Sequence, residues 1–325
     1  MIRAPVARPP QKDRDKRLFT LKAGPDAAAR SREVAIIRDM PSPRLPSLLA
    51  ALLVACAAVA AAGPRAPLVT MLDGEATLLR DGARFALAEG VRLQAGDLLS
   101  TGAQTRLLRV EFPGGLGVAL GPDSRAMVTP NLGDDGMRGG VYLLSGWSKV
   151  AAPAGTTGAI RSRAVDTDTT AGTLILSVQG DTAQAFAENG PSRVQPHVAD
   201  APAQTLKSGE MLALPGAGAK PQLAKGASPA FVQAMPHVFM DSLPSRLAAF
   251  PNDLAPRRLG EMSYADAQPW IDAEAPLRRV FAERWRRLAA EPQFRSGLVA
   301  GLKSHPEWQP ILYPPSRPPQ AAATH

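Results

Sequence analysis

The sequence predicts a mainly β chain, a sandwich, roll or short solenoid of antiparallel strands, followed by a small α-helical C-terminal unit. Three observations carry this. Between Leu68 and Leu214 short apolar runs are punctuated by Gly- and Asp-containing turns at strand-plus-turn spacing. Within them Leu108, Val110 and Phe112, then Val118 and Leu120, recur every second residue on either side of Pro113-Gly114-Gly115, the period of half-buried strands joined by a hairpin. Beyond Pro229 the period changes: Leu277, Val280, Phe281, Trp285 and Leu288 fall at three- and four-residue steps, one face of a helix.

From the N-terminus, residues 1–39 carry Lys12, Arg14, Lys16 and Arg17 and no apolar period, and are read as a disordered leader or a mis-extended start. Met40 opens a conventional signal peptide, residues 40–62. Its core, Leu45 to Ala62, is 18 residues without a charge, preceded by Arg44 and followed by Gly63-Pro64. A membrane anchor, with the N-terminus on the cytoplasmic side, is the competing reading. Ala60-Ala61-Ala62 offers a small-x-small cleavage site, and Leu53-Val54-Ala55-Cys56 matches a lipobox in which Cys56 is acylated. The expected location is therefore periplasmic or envelope-associated. Mass spectrometry of envelope-fraction protein should find an N-terminus at Gly63, or an acylated Cys56; an intact 1–62 segment would argue for the anchor.

The β region spans residues 66–215. Leu68–Leu72 and Ala76–Leu79 flank Asp73-Gly74, read as a hairpin; Asp81-Gly82 ends the next run. The alternation through Leu108 puts Arg109 on the opposite, wetted face, where its removal should cost little, about 0.5 kcal/mol. Val141–Leu144 and Trp147–Val150 surround Ser145-Gly146, Thr173–Val178 runs to Gly180-Asp181, and Ala183–Phe186 runs to Asn189-Gly190. Gly209-Glu210-Met211-Leu212 echoes Gly96-Asp97-Leu98-Leu99, too short to prove duplication but consistent with one turn solution used twice.

The stretch Gly90 to Ser124, with Gly96, Asp97, Leu99, Thr101, Gly102, Thr105, Val110, Phe112, Gly114, Val118, Leu120 and Ser124 in register, resembles the core signature of the FecR domain. Gly139 to Gly146, Thr173 to Gly190 and Leu206 to Leu214 are similar to that family's later strands and closing turn. The resemblance covers about 150 residues and implies an extracytoplasmic sensor or stand-alone exported domain. The family's central hairpin usually carries Asp-Gly-Ser or Asp-Gly-Thr; here Pro113-Gly114-Gly115-Leu116 keeps the turn without its polar side chains. Residues 1–44 contain no tryptophan and no helix of the kind that binds a sigma factor, so the resemblance does not extend to anti-sigma activity.

Residues 216–228 form a Gly-, Ala- and Pro-containing linker. The helical unit, residues 229–314, starts with Ser228 as N-cap and Pro229 at the first helical position. Ser263-Tyr264-Ala265-Asp266 resembles a capping arrangement, and Phe294, Leu298, Val299 and Leu302 give a further helix after Glu291-Pro292. Trp270, Trp285 and Trp308 sit in apolar contexts and are expected in a core. Residues 315–325 read as a disordered tail.

Composition narrows the chemistry. Of 37 Lys plus Arg and 29 Asp plus Glu, residues 1–44 hold 11 and 5, so the rest of the chain is only +2 despite a net charge of +8. Nucleic acid is not an expected partner. Cys56 is the lone cysteine and His197, His237, His305 and His325 are dispersed, so neither thiol chemistry nor a zinc site is expected. Asp166 and Asp168 are better explained as the wet face of a strand than as cation ligands, and Asp134-Asp135-Gly136 as a hairpin tip. Ser124, Ser145 and Ser148 have no histidine nearby in sequence, and no catalytic residues or cofactors are expected. The candidate partner surface is the basic cluster Arg278, Arg279, Arg286 and Arg287, with Arg284, weighed against a solvated helix face offset by Glu274, Glu283 and Glu291. The expected function is an exported, non-catalytic FecR-like binding or scaffold protein whose partner is an envelope protein or an anionic surface, with membrane contact through the signal anchor or a lipid on Cys56. The alternatives are a membrane-anchored regulator sensing an envelope partner and an envelope enzyme with an unrecognised site.

Overall fold

The computed structural model describes residues 66–129 and 138–314. Cys56 and Leu45–Ala62, with the leader, the Asp134-Asp135-Gly136 tip and the tail, lie outside them. No described helix is long and apolar enough to cross a membrane.

Among the described residues fifteen strands form one antiparallel sheet: β1 Leu68–Asp73, β2 Ala76–Arg80, β3 Ala83–Ala86, β4 Leu98–Thr101, β5 Leu107–Glu111, β6 Gly117–Leu120, β7 Arg125–Thr129, β8 Arg138–Arg161, β9 Val165–Gln179, β10 Thr182–Asn189, β11 Ser192–Pro196, β12 Gln204–Leu206, β13 Met211–Leu214, β14 Gln222–Ala224 and β15 Arg257–Glu261. The mainly β class with C-terminal helices holds. β14 lies inside the 216–228 linker, and β15 returns from the helical region to pair with β3.

Most hairpins fall where turn chemistry puts them. Asp81 and Gly82, with φ of 51° and 76°, form the two-residue turn of β2–β3. Gly180-Asp181 joins β9 to β10 with Gln179 opposite Thr182, and Pro113–Gly115 forms a 3-10 turn between the paired β5 and β6. Two expected turns are corners instead. β1 does not pair with β2; it pairs with β5, while β2 pairs with β3 and β4. Gly74, at φ 114°, sits so close to Thr105 that a Cβ would come within 2.6 Å of its Cα, a position only glycine tolerates. Ser145-Gly146 likewise does not reverse the chain. β8 runs through it for 24 residues, pairing with β7 up to Ser145 and with β6 and β9 after it. Gly146, at φ 97°, supplies the bend against Ser124.

These corners curl the sheet around a common interior that includes Val69, Leu78, Leu99, Leu108, Val110, Phe112, Val118, Leu143, Val150, Leu174, Leu176 and Leu212. The outer faces are covered too, by later parts of the chain. α1 Pro229–Ala234 and the 3-10 turn His237–Met240 lay Phe231, Met235 and Phe239 on Leu107, Ala119, Ile175 and Met211. α2 Tyr264–Ile271, α3 Ala275–Arg284, α4 Pro292–Ala300 and α5 Gln309–Leu312 gather Trp270, Phe281, Trp285, Phe294, Trp308 and Leu312 against Leu79, Leu98 and Tyr142. The three tryptophans are buried as expected.

Helix starts follow their capping residues. Ser228 Oγ accepts from the Phe231 N–H, and Ser263 and Asp266 form a reciprocal capping box. The expected long helix through Leu288 ends earlier, at Arg284: Trp285 leaves helical geometry and residues 286–290 form a 3-10 turn. Val280, inside α3, stands outside the apolar stripe, 56% exposed.

Covering the sheet on both sides overturns the expectation for Arg109. Every residue of β5 is buried, Arg109 at 4% and Glu111 at 0% exposure. Alternation places Arg109 opposite the interior, as expected, but that face meets the 240–246 segment rather than water.

Tyr142, at the junction with the helices, donates its phenolic O–H to Glu274. Burial, then this hydrogen bond, push its pKa well up; burial also raises Tyr264. An unfolded tyrosine ionises near pH 10. Above about that pH the unfolded chain releases protons the folded chain retains, so stability should fall as pH rises, and Tyr142→Phe should flatten that slope in urea titrations between about pH 9 and 11.

Candidate functional site

The site is built by strand register. Across the outer face of β5, β6, β8, β9 and β10, one row of neighbours is Arg109, Ala119, Lys149, Ile175 and Phe186. The next row is Glu111, Gly117, Ala151, Thr173 and Asn189. Its middle members are small, so the sheet face sinks into a trough roofed by Met240–Leu243. The trough holds a cavity of about 310 Å³ continuous in lining with one of about 430 Å³, the two sharing Arg109, Ala151, Thr173, Asn189 and Leu243. The second opens where β8 and β9 are irregular: Pro153–Thr156 bulge out of the ladder and Ala171 adopts φ 49°. Bulges and left-handed non-glycine residues recur next to functional clefts.

Charge lines this trough. Lys149 Nζ donates to the Phe239 and Asp241 carbonyls and pairs with Glu188 at 2.8 Å. Arg109 Nη1 donates to Leu243 O at 2.6 Å, and its Nε lies 3.4 Å from Glu111. Glu111 accepts from Thr70 Oγ1 at 2.8 Å, Ser245 Oγ at 2.5 Å and the Arg246 N–H at 3.0 Å. Burial depresses the Arg109 pKa, only partly offset by Glu111. Three buried charged side chains from the sheet thus fasten a segment with little secondary structure.

The residues singled out from sequence lie elsewhere. Asp97 is buried, its carboxylate taking Arg80 Nε at 2.8 Å and the Gln94 N–H at 2.7 Å. Glu210 accepts the Lys207 N–H at 2.8 Å, and Gly96 and Gly209 have φ of 83° and 82°, so the sequence echo is one turn built twice. Thr101 Oγ1 donates to Gly121 O at 2.6 Å and accepts from the Ser124 N–H at 2.9 Å, and Ser124 Oγ accepts from the Trp147 N–H at 2.9 Å. Gly102 N–H donates to Thr105 Oγ1 at 3.2 Å, Gly114 sits in the β5–β6 turn and Phe112 in the interior. These residues hold turns and corners together, and none lines the trough.

The arginines divide into two kinds. Arg278 Nε pairs with Glu307 at 3.0 Å, Arg286 with Glu283 at 2.7 Å, and Arg284 Nη1 donates to Gly96 O at 2.6 Å, docking the helical region on the Gly96-Asp97 turn. Arg279 and Arg287 are exposed and enter no ion pair among the described residues. Since α3 ends at Arg284, Arg279 and Arg286 do not share one helix. Asp166 and Asp168 face Arg161, and Asp166 also faces His197 at 3.4 Å.

No family model matches the chain, and no curated protein matches it significantly. Among solved structures, two crystal structures, at 1.65 and 2.50 Å, of a protein from Parabacteroides distasonis described as a "putative anti-sigma factor" align with TM-score 0.34 and 12% identity. The alignment covers 40% of this chain and 59% of those chains, an overlap too small to carry a statement about fold or activity.

Proposed function

We propose that the chain is an exported, non-catalytic binding or scaffold protein of the bacterial envelope, a FecR-like β domain whose C-terminal region presents the partner surface. The observation that carries the reading is the pair of exposed neighbours Arg279 and Val280 on α3, a helix whose opposite side buries Phe281 and Ala282. An unpaired cation beside an exposed aliphatic side chain suits an acidic protein face or anionic headgroups. Arg287 adds a second cation that is unpaired among the described residues, whereas Arg278 and Arg286 are already paired internally.

Charge reversal at Arg279 and Arg287 should leave circular dichroism unchanged and release the protein from sedimented envelope membranes. Raising salt to 1 M, where the screening length falls to about 3 Å, should weaken association of the unmodified protein in parallel. Undiminished sedimentation of the doubly reversed protein would return both arginines to a merely solvated role.

A further inference from the structure

The trough and the helices that carry Arg279 cover different parts of the sheet's outer face. The two oxygens of Glu111 already take three donors, and Arg109 Nε, though only 3.4 Å away, makes no hydrogen bond. Arg109 Nη1 is committed to Leu243 O, while Nη2 extends over Gly117, where a Cβ would come within 2.9 Å of it. The guanidinium is thus nine-tenths buried, lines both cavities and keeps an N–H donor without an acceptor.

We propose that the trough is a binding site for a carboxylate group, with Arg109 Nη2, the guanidinium nitrogen taken by neither Leu243 O nor Glu111, as its anchor. A carboxylate oxygen accepts a charge-assisted hydrogen bond from Nη2 and supplies negative charge that Glu111, shared among three other donors, gives incompletely. Lys149 at the same wall is offset by its partner Glu188, and Asp241 also lines the cavity, so Arg109 is the cation the site offers. The floor of Gly117 and Ala151 admits a small aliphatic body, and Thr173, Asn189 and Ser242 offer polar groups farther along. A cavity of about 310 Å³ sets the size at a small organic acid or the last residues of a peptide.

Isothermal titration of the purified full chain with acetate, succinate, N-acetyl-Ala-Ala and the C-terminal amide of that peptide tests the site. The acids should bind, the amide at least about tenfold more weakly, and Ala151→Leu, which fills the trough without touching the Arg109 contacts, should weaken every acid at least about tenfold. Binding of acetate and succinate points to free organic acids; binding confined to N-acetyl-Ala-Ala points to a peptide C-terminus, and either supports the site. The buried Arg109 Nε–H resonance should shift with the acid and not with the amide, a readout independent of any variant. No binding by any acid to the folded protein, equal binding of acid and amide, or an Arg109 resonance unmoved by a bound acid would overturn the proposal. Loss of Arg279 and Arg287 should leave this binding unchanged, so the two surfaces fail or succeed separately.

Discussion

Phe112→Ala and Arg109→Ala are both expected to cost about 3 to 5 kcal/mol, although the two side chains point to opposite faces of β5. Phe112 is 2% exposed in the interior cluster, and removing a buried ring forfeits its transfer energy and leaves a cavity. Arg109 is buried for a different reason. Its loss strands the Leu243 carbonyl and removes the cation beside a fully buried Glu111, and deleting one member of a buried charge pair typically costs about as much as deleting a core ring. Costs of this size consume a large share of the 5 to 15 kcal/mol typical of a folded protein. Urea midpoints of both variants should fall together. An unchanged midpoint for Arg109→Ala would show that the 240–246 segment is not seated on the sheet in solution.

The second large effect belongs to the part of the outer face that the helices cover. Trp270 is fully buried with its ring centroid 5.5 Å from that of Phe281, in a cluster that mixes helical residues with Leu79, Leu98 and Tyr142 from the sheet. Trp270→Ala should also cost about 3 to 5 kcal/mol. Because sheet residues belong to the same cluster, the variant should melt in one transition at a lower temperature, with near- and far-ultraviolet circular dichroism coincident. Two separated transitions would mean that the helices unfold without disturbing the sheet.

Local chemistry was readable wherever it alone decides the outcome. Asp81-Gly82 and Gly180-Asp181 are hairpins because their backbone preferences and their neighbours agree, and Ser263 with Asp266 caps α2 because both partners lie within one turn. Asp73-Gly74 and Ser145-Gly146 carry the same turn residues yet make corners. A left-handed glycine permits a reversal or a change of sheet face equally well, and the distant partners of β1 and β8 make the choice. The candidate site was illegible for a related reason. Arg109, Glu111 and Lys149 interleave with apolar residues as any wetted strand face would, and the segment that covers them comes about 90 to 135 positions later. Of the arginines, Arg286 had a readable partner three residues away in Glu283, whereas the partner of Arg278, Glu307, is brought in only by tertiary packing.

The cover that buries β5 from outside also imposes an order on folding. Until the segments after β13 are in place, Leu107, Ala119, Ile175 and Met211 face water, as do Leu79 and Leu98 farther along, and Lys149 and Arg109 have no carbonyls to grip. Only the next hundred residues supply Phe231, Phe239, the 240–246 segment and β15. A sheet formed before that stretch docks is therefore a sticky intermediate. A fragment cut at residue 215 should stay in that state permanently, drawn to chaperones and to other copies of itself rather than behaving as an independent domain.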